Sequence, residues 1–396
     1  MIEFFGGVCI LNTQEKLNAS VMGTYGRFPV VLEQGNNCTS KDENGKEYLD
    51  FGSGIGTSSL GYCNEAWADA VCKQVRTIQH TSNLYYTAVQ AEFAEMLCSA
   101  TGYKKVFFGN SGAEANECAI KLARKYSFDK YGKGRHTILT LVNSFHGRTM
   151  GTLSATGQNV FHNYFFPFPE GFDYVKANDI DDLKNHLNDT VCAVMMEYIQ
   201  GEGGVNALEQ SFVDAVYELC SERDILVIAD EVQTGAGRTG TFLAGEQFGH
   251  KADITTMAKG IAGGLPIGAC LANEKCADVL GKGTHGSTFG GNPVCCAGGI
   301  AVLKTITAEG FLQSVKEKAE YLRSKLVELP GVAGVSGLGM MIGISLKDKT
   351  SLEVANTALE KGLLVLTAKD KVRLLPPLVI SYEEIDKGIE ILNSVL

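Results

Sequence analysis

Ile225-Leu226-Val227-Ile228-Ala229-Asp230-Glu231-Val232-Gln233-Thr234-Gly235 starts as five apolar residues without a polar interruption and stops at two acids. A run with no alternation reads as a strand buried on both faces. Such a strand belongs inside a parallel sheet clad with helices, not in an antiparallel sheet with one wet side. The same pattern recurs outward from it. Lys105-Val106-Phe107-Phe108, Thr137-Ile138-Leu139-Thr140-Leu141, Cys192-Ala193-Val194-Met195-Met196 and Ile267-Gly268-Ala269-Cys270-Leu271 predict further strands. Helical periodicity predicts helices over 65–78, 87–100, 113–128 and 211–222. Strands alternating with helices define an α/β class with a mostly parallel sheet.

Past residue 300 the pattern changes. Helices over 293–308 and 311–328 lead to strand-like segments at 340–346, 363–366 and 372–375, and to a last helix over 382–395. Residues 28–50 read as short strands with a hairpin turn at Asp42-Glu43-Asn44-Gly45. The expected organisation is a large α/β domain over 61–299. A smaller α+β domain is built from both chain ends, an N-terminal segment of residues 1–60 and a C-terminal part of residues 300–396.

Composition narrows the function. The 396 residues carry 35 Lys plus Arg against 45 Asp plus Glu, a formal net charge of −10, with no basic cluster. That argues against nucleic acid or an anionic membrane as partner. No apolar stretch approaches the ~20 residues of a membrane span. Residues 1–5 hold an early acid, Glu3, and no basic region, which makes a poor signal peptide. The 12 cysteines include no C-x-x-C pair, so free thiols in a reducing cytoplasm are expected. The seven histidines lack zinc-ligand spacing, and no metal site is expected.

Ligands of open parallel sheets bind beyond the carboxyl ends of the strands, so the residues following each strand carry the chemistry. After 105–108 comes Gly109-Asn110-Ser111-Gly112-Ala113-Glu114-Ala115-Asn116, a small-residue turn opening a helix. It fits a phosphate cradle of free N–H groups and equally a plain helix start capped by Ser111. After 137–141 comes Asn143-Ser144-Phe145-His146-Gly147-Arg148-Thr149, an aromatic suited to stack on a flat ring and an arginine suited to hold a carboxylate, or else an ordinary exposed loop arginine; His146 reads as structural. After 192–196 comes Glu197-Tyr198-Ile199-Gln200-Gly201-Glu202-Gly203-Gly204. Asp230, at the end of a buried run, needs a partner, either a protonated ring nitrogen or a local salt bridge or cap. Lys259, between an apolar strand and Gly260-Ile261-Ala262-Gly263-Gly264, is a poorly solvated amine suited to act as a nucleophile. Gly235-Ala236-Gly237-Arg238-Thr239-Gly240 matches G-x-G-x-x-G, but Thr241-Phe242-Leu243 opens no helix, and dinucleotide binding is set aside.

A phosphate turn, an aromatic with arginine, paired glutamates, Asp-x-x-Gln and a lysine in a glycine-rich segment together fit pyridoxal 5'-phosphate. In this order, Ser111-Gly112-Ala113-Glu114-Ala115-Asn116, Phe145-His146-Gly147-Arg148-Thr149, Gln200-Gly201-Glu202-Gly203-Gly204, Asp230-Glu231-Val232-Gln233-Thr234-Gly235 and the Lys259 segment resemble the class III, fold type I aminotransferases, from about Thr24 to the C-terminal helix. The resemblance implies that Lys259 is the Schiff-base lysine and proton carrier and that Asp230 pairs with the pyridine nitrogen. It places Gln233 near the ring's phenolic oxygen, Phe145 on the ring face, and Ser111, Gly112 and Ala113 on the phosphate. It also implies a homodimer with shared active sites, in which Thr288 reaches the phosphate from the partner subunit.

Thr24-Tyr25-Gly26-Arg27-Phe28-Pro29-Val30, Ser82-Asn83-Leu84-Tyr85-Tyr86 and Val372-Arg373-Leu374-Leu375-Pro376-Pro377-Leu378 resemble the acetylornithine branch of that family. There Arg148 would hold the α-carboxylate of N-acetylornithine, and Arg373 that of glutamate or 2-oxoglutarate. Glu202 would shield Arg373 until glutamate binds, Glu197 would act in support at the cofactor, and Tyr25 would line the substrate site. Ile55 falls where ornithine aminotransferases carry a tyrosine, which favours an N-acylated donor. The expected reaction is ping-pong transfer of the δ-amino group of N2-acetylornithine to 2-oxoglutarate in arginine biosynthesis, in the cytoplasm. Succinylornithine, ornithine and 4-aminobutyrate are the alternative donors. Tyr198 stands where the family usually has proline, a change a strand should absorb.

Overall fold

A computed structural model describes residues 12–396. The reading of residues 1–5 as a poor signal peptide lies outside the described residues. A seven-stranded sheet carries the large part of the chain: β1 (Lys105–Gly109), β2 (Thr137–Leu141), β3 (Phe172–Val175), β4 (Val191–Met196), β5 (Leu226–Asp230), β6 (Ile254–Met257) and β7 (Gly268–Ala272). Their spatial order is β1-β7-β6-β5-β4-β2-β3. β5 and β4 are buried at every residue, as their unbroken apolar runs require. Successive side chains point to opposite faces. Leu226 and Ile228 join one core cluster with Cys118, Ile138 and Ile254, while Val227 and Ala229 join another with Val194, Phe212 and Val216. Helix α1 (Gly112–Tyr131) covers the first face and the helix Gln210–Glu222 covers the second.

One strand runs against the rest. β7 pairs antiparallel with both β6 and β1, and the other pairings are parallel. The chain reverses through Gly263 and Gly264, both at positive φ (62° and 111°), so β7 enters at the end where its neighbours leave. It enters tightly: a Cβ on Gly268 would stand 2.0 Å from the Ser111 carbonyl oxygen.

Strands Leu32–Asn36, Thr39–Asp42 and Glu47–Asp50 form an antiparallel meander that Leu363–Leu364 joins in parallel. The expected turn is there, with the Asp42 carboxylate accepting the N–H groups of Asn44 (2.9 Å) and Lys46 (3.0 Å). A second sheet orders Val332–Leu338, Met341–Leu346, Lys371–Leu374 and Leu366–Ala368, all antiparallel. Leu322, Ile342, Val372 and Ile385 pack these strands with helices Phe311–Val327, Ser351–Glu360 and Tyr382–Val395. The strand Val332–Leu338 and the helix Ser351–Glu360 are additions to the sequence reading. Gly334 and Gly337 dilute the first, and the second is only 10 residues long.

Helix α2 (Pro293–Ile306) is buried along most of its length beneath the helices Glu65–Thr77 and Ala88–Thr101. No single helix among the described residues is long and apolar enough to cross a membrane. All the cysteines among the described residues are free thiols.

Candidate active site

A cavity of about 430 Å³ opens beyond the carboxyl ends of the parallel strands. Five of these strand ends supply residues to its wall. β1 delivers Ser111, Gly112 and Ala113; β2 delivers Phe145 and Arg148; β4 delivers Glu197. β5 ends on Asp230 with Gln233 following, and β6 leads into Lys259. Glu202 and Arg373 sit next to the cavity, tied to it through Gln233. Two expected residues are not brought in by this chain. Tyr25 is 73% exposed beneath Arg27, and Thr288 is exposed at a separate crevice beside Thr81, Ser82 and Asn83.

Asp230 is the anchor of a buried network. Its Oδ2 accepts from His146 Nδ1 (2.7 Å) and Asn116 Nδ2 (2.8 Å), and its Oδ1 accepts the Val232 N–H (3.0 Å). Because a carboxylate only accepts, the His146 proton sits on Nδ1, while Nε2 is buried without a partner. Asn116 Oδ1 in turn accepts from Thr256 Oγ1 (2.7 Å). The open alternatives for Asp230 therefore resolve in part: local partners hold its carboxylate in place. His146 was expected to be structural, and Asn116, visible in its motif, carried no assigned role.

Burial dominates the titration of the neighbours. It lifts the Glu197 carboxyl to about 7, with Asp230 adding to the rise and His146 and the N–H groups of Phe145 and Gly201 opposing it. Burial also brings the Lys259 amine down to about 8, with Arg373 contributing, against the pull of Glu202, Asp230 and Glu197. The Lys259 backbone sits at φ 44°, in the left-handed region that side chains with a Cβ disfavour.

Arg373 is 3% exposed, and its Nη1 donates to Glu202 Oε1 (2.5 Å) and to Gln233 Oε1 (3.3 Å), while Nε is buried without a partner. For Glu202, burial pushes upward, but the Arg373 charge and hydrogen bond, with Lys259 and Gln233, hold its carboxyl below the usual range. The Arg148 guanidinium carbon lies 4.0 Å from the Phe161 ring centroid and 5.4 Å from that of Phe145. Phe161 ends the short turn Asn159–Phe161, within a stretch that has no periodicity, so no sequence signal marked it.

At the start of α1 both readings hold together. Ser111 Oγ accepts the Glu114 N–H (3.2 Å) as helix cap, and the first-turn N–H groups of Gly112 and Ala113 remain for an anion. The approach is close: a Cβ on Gly147 would lie 2.8 Å from that of Ala113. The G-x-G-x-x-G stretch is a structural clamp instead, with Arg238 fully buried and donating to the carbonyls of Met340 and Pro376. Tyr198, in the place of the proline, is anchored by its hydroxyl on that of Tyr217 (2.7 Å) and by Phe248 stacked at 5.1 Å. An anion cradle, an orienting carboxylate network, a desolvated amine and an aromatic ring in one cavity form a donor set that fits pyridoxal phosphate.

The fold and this cavity define a pyridoxal-phosphate transferase. The chain belongs to the class III aminotransferases, whose family model (Aminotransferase class-III) matches residues 21–396. It is 52% identical to an acetylornithine aminotransferase of Haemophilus ducreyi over 375 residues, 94% of this chain and 95% of that protein. Among solved structures it is similar to the ornithine aminotransferase of Toxoplasma gondii, at a TM-score of 0.93 and 30% identity, covering 98% of this chain and 95% of that one. It is likewise similar to the N-acetylornithine aminotransferase of Stenotrophomonas maltophilia, at a TM-score of 0.82 and 34% identity, covering 94% and 96%.

Proposed function

We propose that this chain is an N-acetylornithine aminotransferase, moving the δ-amino group of N2-acetylornithine to 2-oxoglutarate in arginine biosynthesis. The observation that carries the reading is the 52% identity, along nearly the whole of both chains, with the Haemophilus ducreyi acetylornithine aminotransferase. We also propose a division into residues 61–299 around the seven-stranded sheet and a smaller domain from residues 1–60 and 300–396. The working unit would be a cytoplasmic homodimer. Leu84, Tyr85, Tyr86 and Phe289 are exposed beside one another in sequence or across Asn83, which bonds the Ser287 and Gly290 carbonyls. Such an apolar surface suits a second copy of the chain. Thr288 of the partner subunit would then complete the phosphate site, and Tyr25 would gain its place only in that assembly.

Pyridoxal phosphate, when bound, supplies a carbonyl that condenses with amines and a ring that accepts an electron pair. The chain supplies the rest. Gly112 and Ala113 bind the phosphate through N–H groups at the positive end of α1. Phe145 would cover a ring face, and Asp230, fixed by His146 and Asn116, would hold a proton at the ring nitrogen. Lys259, with its amine lowered to about 8, keeps an unprotonated fraction near neutral pH, so that its Nζ would take up and return a proton beside the bound substrate. Arg148, braced on Phe161, orients the donor through its carboxylate. Glu202 occupies Arg373 while the donor reacts and yields it to the α-carboxylate of 2-oxoglutarate.

The test is a panel of N-acetylornithine, N-succinylornithine, ornithine and 4-aminobutyrate. The purified holoenzyme is followed by cofactor absorbance without 2-oxoglutarate. Fast bleaching by N-acetylornithine with little by ornithine is expected. Preference for another donor replaces the substrate and keeps the mechanism.

A further inference from the structure

Glu202 rides on the tip of a two-stranded hairpin, Ile199–Gln200 against Asn206–Ala207, with Gln200 opposite Asn206. The base of this hairpin is fixed. Ile199 and Val205 are fully buried with Met341, Ala368 and Leu375, and Gln200 Nε2 donates to the Val142 carbonyl (2.8 Å). Val205 sits at φ 54°, a left-handed backbone that a β-branched residue holds only where packing imposes it. The tip is different. Gly201, Gly203 and Gly204 surround Glu202, so the residues beside the carboxylate have no side chains with which to anchor it and many conformations open to them.

One side-chain relay ties that tip down. Lys371 Nζ donates to Asn206 Oδ1 (2.8 Å) and to Ser336 Oγ (2.9 Å). An ammonium only donates, so the Asn206 oxygen must face Lys371, which turns Nδ2 the other way, onto the Gly203 carbonyl (3.0 Å). Lys371 and Arg373 lie two residues apart on the strand Lys371–Leu374 and so share a face, while Val372 between them turns into the core with Leu322 and Ile342. One strand face therefore grips the hairpin twice, by Arg373 on Glu202 and by Lys371 on Asn206. None of Lys371, Asn206 and Ser336 lines the cofactor cavity.

We propose that Lys371 is a positioning residue for the donor half-reaction: through Asn206 it holds the Gly203 carbonyl, and with it Glu202, in place against Arg373. The inference rests on the gating role given to Glu202 above and adds the element that restores the closed gate. When a dicarboxylate takes Arg373, the Glu202 side chain turns away at the glycine tip. The Lys371–Asn206 contact lies outside the cavity and need not break, so the hairpin stays docked and the carboxylate returns once Arg373 is vacated. Without that contact the glycine tip samples more conformations, and Arg373 is open to the carboxylate of the donor for more of the time.

The test uses Lys371→Met, Lys371→Arg and Glu202→Gln holoenzymes, with stopped-flow absorbance of the cofactor following each half-reaction alone and the preferred donor of the panel supplying the first. Lys371→Met should lower kcat/KM for the donor about 3- to 10-fold, less than loss of Glu202 does, and leave the 2-oxoglutarate half unchanged or faster. Lys371→Arg, which still donates to Asn206 and Ser336, should restore the wild-type ratio of the two halves. In the Glu202→Gln background, Lys371→Met should lower the donor half no further. The ratio is taken on one preparation, so a reduced folded fraction does not change it. A mere loss of positive charge would slow the dianion 2-oxoglutarate more than the donor, the opposite pattern. If Glu202→Gln separates the halves while Lys371→Met leaves both unchanged, lowers them equally or slows the 2-oxoglutarate half more, the role of Lys371 is refuted and the gate stands. If Glu202→Gln itself lowers both halves equally, the gate is refuted and the role of Lys371 with it.

Discussion

Replacing Glu202 with glutamine or alanine should impair one half-reaction and spare the other. Arg373 is 3% exposed and spends Nη1 on Glu202 at 2.5 Å, with only a 3.3 Å contact to Gln233 in reserve. Without Glu202 the guanidinium is free to take the first carboxylate offered. A hydrogen bond to a charged group is worth about 1.5–3 kcal/mol, or about 10- to 150-fold. The Glu202 side chain keeps 30% exposure, so the lower half of that range applies. The donor, now held by Arg373 in a non-productive pose, should lose about 10- to 30-fold in kcat/KM. The half-reaction of the aminated enzyme with 2-oxoglutarate should hold its rate or gain, because no carboxylate has to be displaced. Stopped-flow absorbance of the cofactor measures each half alone. Alanine, which leaves a buried charge uncompensated, should also lower Tm more than glutamine does. Equal losses in both halves would refute the gating role.

Four further outcomes follow from the site. Lys259→Ala should abolish turnover in a folded chain. In cofactor-free protein, wild-type Lys259 binds fewer protons folded than unfolded between about 8 and its ordinary 10.5, so stability should rise with pH across that window. Lys259→Met should remove that rise, and identical slopes in thermal unfolding would contradict it. His146→Leu takes one of two donors from Asp230 Oδ2 and should weaken cofactor binding about 10- to 100-fold by equilibrium titration; an unchanged affinity would make His146 mere filling. Phe161→Leu removes a cation–π contact worth about 0.5–2 kcal/mol and should raise KM for donor and 2-oxoglutarate about 2- to 30-fold. A fall in kcat at constant KM would count against this bracing of Arg148.

What could be read in advance followed the physics of burial. β4 and β5 announce themselves because a doubly covered strand has no room for polar alternation. Asp230 and Glu197 stood out as acids placed where such a run ends. Strand direction is not written in a buried pattern, and so Ile267-Gly268-Ala269-Cys270-Leu271 gave away its presence but not its reversal. Phe161 was invisible because its role is a contact made across a loop. His146 looked structural, and it is structural, but what it structures is Asp230. Tyr25 and Thr288 lie exposed and away from the cavity, so neither could be placed by the strand-end logic that found the others.

Lys259 combines a left-handed backbone with an amine stripped of water, and both features work against foldedness. A chain improved for heat resistance alone would therefore discard this residue early, since glycine there relieves the backbone and alanine removes the amine. Directed evolution that sorts only for survival of the fold should enrich inactive, sturdier descendants altered at this one codon. The lysine persists only where each generation is also asked to turn over substrate.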